Sequence, residues 1–116
     1  MGHERVHIKR VYDTPAPDDG YRVLVDRLWP RGLGKERAAV DEWFKDVAPS
    51  TELRRWFGHD PQRFDEFAAR YRAELEGSDA LAALRALCAE HDRVTLVYGA
   101  KDTEHNQAVV LRGLLD

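Results

Sequence analysis

Apolar and polar positions alternate at the start of the chain. Val6 and Ile8 interleave with His7 and Lys9 before Val11 and Tyr12, which predicts a half-buried or edge strand within residues 5–12. Thr14-Pro15-Ala16-Pro17-Asp18-Asp19-Gly20 reads as a loop, because two prolines and a glycine oppose regular pairing. The run Val23-Leu24-Val25 marks a second strand over 21–26, and residues 35–40 suit a short helix. Asp41 to Val47, with Trp43 and Phe44, fits either a strand or a helix end. Ser50 is placed to cap a short helix that carries Leu53, Trp56 and Phe57 and stops at Gly58.

Asp60-Pro61 opens the next helix with Asp as cap and Pro in the first turn. Phe64, Phe67, Ala68, Tyr71 and Leu75 then form one apolar stripe, ended by Gly77. Ser78 caps a further helix with Leu81, Leu84, Leu87 and Cys88 on one face. Val94-Thr95-Leu96-Val97-Tyr98 reads as a central parallel strand. Asp102 or Thr103 is expected to cap a last helix that turns Ala108, Leu111 and Leu115 to the core. The order predicts a single small α/β domain over 1–116: a short, mostly parallel sheet flanked by helices, with the final strand inserted centrally through a right-handed crossover. Trp56 and Phe57 are read as core.

Composition narrows the function classes. At 116 residues and 43% hydrophobic, the chain can bury one core. Its formal charge of -3 is a poor match for a general nucleic-acid binder, although arginines crowd 22–37 and 54–72 and keep a local basic face open. One cysteine, Cys88, excludes an intramolecular disulfide and fits a reducing compartment. With no apolar run at the N-terminus and no stretch of membrane-spanning length, the expected setting is cytoplasmic, with no membrane partner. No cofactor is expected, since neither a G-x-G-x-x-G nor a Walker A pattern occurs. No metal site is expected either: zinc-type spacing is absent, and His3 and His7 sit at the terminus.

The candidate chemistry gathers at two strand ends. Asp26, Arg27, Trp29 and Arg31 follow the second strand; Tyr98, Asp102, His105 and Asn106 end or follow the last one. If these strands are parallel neighbours, the two ends meet where α/β sheets commonly hold ligands. Arg27 and Arg31 suit a phosphate or carboxylate, and Trp29 and Tyr98 would supply walls. Asp26, Asp102 and His105 are the candidate catalytic residues, to orient the ligand or move protons. Lys45 and Arg54 would extend the anion site, and His59 with Asp60 reads as a buried support pair or one wall of a pocket. Each has a plainer alternative: an Asp26–Arg27 ion pair closing the sheet edge, Asp102 as a helix cap, His105 and Asn106 as ordinary surface. The leading reading is a pocket for a small anionic ligand, with acid-base chemistry as one use of it. A non-catalytic module that binds protein or nucleic acid through Arg and Trp, and a purely structural network, are the alternatives.

The segments 23–32, 43–50 (Trp43-Phe44-Lys45-Asp46-Val47-Ala48-Pro49-Ser50), 53–60 and 95–106 together resemble the YeaO-like proteins, domain of unknown function family 488. The resemblance runs from about residue 6 to the C-terminus and implies a small bacterial-type α/β domain; it brings no activity with it. A broader branch that is similar to this one places Cys-His-Arg after the final strand. Here the corresponding stretch is Tyr98-Gly99-Ala100-Lys101, so cysteine chemistry does not carry over.

Overall fold

Five consecutive side chains, Val94 to Tyr98, are buried, and the molecule is organised around them. The computed structural model describes residues 5–115. Strands β1 (Val6–Arg10), β2 (Tyr21–Leu24), β3 (Glu42–Trp43) and β4 (Val94–Tyr98) form one sheet in the order β1-β4-β2-β3, and every pairing is parallel. β4 is therefore central, as its unbroken apolar run predicts, and β1 is an edge. The ambiguous segment 41–47 resolves into the two-residue β3 and a 3-10 turn over Lys45–Val47. Among the described residues five helices pack around the sheet: α1 (Lys35–Ala38), α2 (Thr51–Phe57), α3 (Phe64–Leu75), α4 (Asp79–Ala89) and α5 (Gln107–Leu115). None of the described helices is long and apolar enough to cross a membrane.

The period of two along each strand divides the core. Val6, Val23, Val25, Leu96 and Tyr98 face the large cluster built with α2 to α5. Val11, Leu24 and Val97 face the other way, into a smaller cluster with Ala38 of α1. Ser50 and Ser78 cap as expected, their hydroxyls accepting from Leu53 N and Leu81 N at 3.1 Å. Asp60 also caps, accepting from Gln62 N at 3.0 Å, but the first turn after it is 3-10 and α3 begins at Phe64.

Three expectations need correction. α5 begins at Gln107, and its cap is Asn106, whose Oδ1 accepts from Ala108 N at 2.9 Å and Val109 N at 3.2 Å. Asp102 instead closes a separate turn, accepting from Glu104 N and His105 N at 2.9 and 3.1 Å. Trp56 is half-buried: it packs against the core but carries Arg70 and Arg63 over its ring at 4.3 and 5.4 Å. The predicted helix over 35–40 is shorter, because Ala39 adopts a left-handed conformation (φ 51°) and ends α1. His3 lies outside the described residues.

A buried charge network holds the small face of the sheet. Arg22, only 3% exposed, donates through Nη1 to Asp19 at 2.6 Å and through Nε and Nη2 to the carbonyls of Ala39 and Ala38 at 3.0 and 2.8 Å. It thus satisfies acceptors that the end of α1 leaves without helical partners. Lys9 also reaches Asp19 at 3.2 Å. Gly20 makes the turn beside it possible: φ is +68°, and a Cβ there would sit 2.3 Å from the Arg93 carbonyl oxygen. Burial pushes the Asp19 carboxyl up, but the Ala16 N–H, Lys9 and Arg22 outweigh it and hold it below the usual carboxylate range.

Asp19→Ala leaves Arg22 buried without its counterion and should cost about 3–5 kcal/mol at neutral pH in urea denaturation. Because the folded-state pKa is lowered, wild type has this advantage in full above the unfolded value of about 3.9 and loses it as pH falls through the folded value. The gap between wild type and variant should accordingly narrow in acid. Trp56→Ala should cost about 1–3 kcal/mol, less than a fully buried tryptophan, since part of the ring stays in solvent; the same denaturation experiment checks it.

Candidate functional site

The β2 ladder continues for one bond past the strand, Val25 N to Val97 O at 3.1 Å, and then the chain turns out at Asp26. The Asp26 carboxylate joins the two strand ends. Its Oδ2 accepts from Gly99 N at 2.9 Å, just past β4, and its Oδ1 accepts from Gln107 Nε2 in the first turn of α5. Its backbone carbonyl accepts from Trp43 Nε1 at 2.8 Å, which ties in β3. Position 99 needs a small residue for this approach, since a Cβ there would lie 3.0 Å from Asp26 Oδ2. Burial pushes the Asp26 carboxyl above the usual range. The hydrogen bonds from Gly99 and Gln107 and the charges of Arg54 and His59 oppose that shift without cancelling it.

Above Asp26 lies an open cleft of about 440 Å³, within the range typical of small-molecule sites. Arg27, Leu28, Trp29, Pro30 and Arg31 form one wall. Tyr12, Ala48, Pro49, Arg54, Arg55, Phe57, His59 and Phe67 line the cleft as well. Gly99, Ala100, Asn106 and Gln107 close the end nearest the sheet.

Several of these groups are fixed by the backbone around them. Trp29 donates to Leu33 O at 2.6 Å and meets Trp43 edge-on at 5.5 Å. The Arg31 carbonyl accepts from Tyr12 Oη at 2.8 Å. Arg27 does not pair with Asp26, which removes the ion-pair alternative for this strand end; it donates to Ala48 O at 3.3 Å and Pro49 O at 3.4 Å. Among the described residues, the side chains of Arg31, Arg54 and Arg55 make no hydrogen bond or ion pair. They are exposed on the cleft.

The structure thus brings Asp26, Arg27, Trp29, Arg31, Arg54, His59 and Asn106 to one cleft, and keeps four other candidates out of its lining. Asp102 and His105 pair with each other, Oδ2 to Nδ1 at 2.9 Å, and His105 packs edge-on against Phe64 of α3 at 5.2 Å. The backbone N–H of Glu104 and the His105 side chain hold the Asp102 carboxyl below its usual range. The two strand ends meet as expected, through the bonds of Asp26 to Gly99 and Gln107, on either side of that turn. Tyr98 is core, its phenol pushed up by burial, and Lys45 sits over Trp43 at 5.2 Å. Asn106 is 1% exposed and acts mainly as the α5 cap; its Nδ2 donates to Asp102 O at 2.8 Å.

Gln107 and Gly99 were not foreseen as site residues, nor were Arg55 and Phe67. Placing the helix start at Asp102 or Thr103 puts Gln107 a turn too deep, which hides it.

A parallel four-stranded sheet flanked by helices, with an arginine-lined cleft at the carboxyl ends of β2 and β4, defines a small α/β domain. Residues 5–116 match the family described as the inactive DUF488-N3 subclade, and the chain belongs to that family, among the YeaO-like proteins. It is 52% identical over 112 residues to an uncharacterised protein of Mycobacterium tuberculosis (strain ATCC 25618 / H37Rv), covering 97% of this chain and 94% of the relative. It is 45% identical over 106 residues to the uncharacterised protein YeaO of Escherichia coli (strain K12), covering 91% and 92% respectively. No solved structure matches the chain.

Asp26→Asn should be at least as stable as wild type at neutral pH. Asparagine can keep the Gly99 bond, and rotation of the Gln107 amide can restore the second. The folded pKa of Asp26 is raised, so wild type loses stability as pH rises from the unfolded value of about 3.9 through the folded value. The advantage of Asp26→Asn should therefore appear on going from pH 3 to pH 7 and vanish in acid, as read by thermal unfolding across that range.

Proposed function

We propose that this protein recognises a small anionic ligand in the cleft and does so without catalysing a reaction. The observation that carries this is the set of arginines at 31, 54 and 55, which line one cavity and, among the described residues, make no direct ion pair. A fold gains nothing from gathering like charges, whereas a ligand carrying phosphate or carboxylate does. The non-catalytic reading rests on the chemistry of the lining. It has no serine, threonine, cysteine or lysine, and His105, the expected proton carrier, is engaged with Asp102 and Phe64. The word inactive in the family description points the same way. A cytoplasmic setting accompanies the proposal, since the lone cysteine, Cys88, is a buried thiol.

Inorganic pyrophosphate is a suitable first probe. It should raise the unfolding temperature above that of a sodium chloride control at equal ionic strength. Arg31→Ala should fold as wild type does, since the side chain is exposed. It should weaken pyrophosphate binding by about 1.5–3 kcal/mol, the range of a charge-assisted hydrogen bond. Calorimetry showing no binding, or equal binding in variant and wild type, rejects the proposal.

A further inference from the structure

The cleft is larger and more apolar than an inorganic anion requires. Resting on the anion reading above, we infer that its ligand is an organic phosphate: a doubly charged head joined to a flat or apolar body. Two independent features lead there. The first is charge. Four arginines and one carboxylate line the cleft, a surplus of three positive charges that suits a phosphomonoester better than a single carboxylate.

The second feature is the lining between those charges. Trp29, Pro30, Pro49 and Phe57 share the cleft with the arginines, and Leu28 stands at it 65% exposed. About 440 Å³ is several times what one phosphate group fills. A phosphate alone would leave these walls wet, whereas an attached ring would remove apolar surface from water. Leu28 is the test residue, because its exposed side chain contributes little packing that the fold would lose.

The experiment compares inorganic phosphate, pyrophosphate and phenyl phosphate by calorimetry on the full chain, with Leu28→Ser and Arg54→Gln as variants. Phenyl phosphate should bind about tenfold tighter than inorganic phosphate, a modest return for burying one ring face. Leu28→Ser should reduce that preference, and Arg54→Gln should weaken all three probes. Equal affinity for phosphate and phenyl phosphate, with the arginine dependence intact, would overturn the organic-phosphate inference and leave the anion site standing. A phenyl phosphate preference that Leu28→Ser does not alter would overturn the assigned apolar wall. Absence of binding by every probe, or binding indifferent to Arg54→Gln, would overturn both readings.

Discussion

The cleft end of this molecule depends on one half-buried carboxylate. Asp26 has two oxygens, and each is committed to a different element: Oδ2 to the backbone just past β4, Oδ1 to the first turn of α5. Its own carbonyl anchors the indole of Trp43 at the sheet edge. Four segments distant in sequence thus meet at a single residue, and the cleft opens on what they leave between them. Burial raises the energy of the charge, so this arrangement is not one that stability alone would select. That carboxylate shares the cavity lining with four arginines, and the charge of Arg54 acts on it.

The opposite half of the sheet solves a different problem. There Arg22 and Asp19 are buried as a pair, and the guanidinium completes the end of the very short α1. The helices on the large face bring leucines and aromatics to a continuous core; the small face has only a few apolar side chains and needs directional bonds. The two networks differ in cost. Asp19 sits among donors and cations that lower its pKa, whereas Asp26 sits where burial prevails and raises it.

The strands and long helices were legible because each rests on a repeated pattern. β4 has five β-forming residues bounded by turn chemistry, and α3 repeats an apolar residue every three or four positions. The start of α5 was not legible: Asp102, Thr103 and Asn106 are all capping types within five positions, and only geometry shows that Asp102 closes its own turn first. Trp56 and Phe57 could not both point inward, since neighbours on a helix diverge by about 100°; Phe57 took the core and Trp56 its margin. Convergence of the β2 and β4 ends was legible from the parallel pattern, and the arginines came with it. What remained hidden was which side chain the carboxylate would reach, because Gln107 carries no signal of its own in a surface-like sequence. Arg22 did leave a trace, since its position alternates with Val23 on the face it shares with Leu24.

The sheet order has a consequence for how the chain is made. β1 pairs only with β4, and β2 takes β4 and the two-residue β3, so the first two strands never touch each other. Both wait for a strand that begins at Val94. During synthesis the ribosome therefore releases most of the helices before the sheet that they cover can close. Until then the apolar face of α3 has α2 for shelter, and the nascent chain relies on local helical contacts. Domain formation waits until the segment from Val94 onward has emerged, which makes β4 the strand whose loss the sheet can least survive.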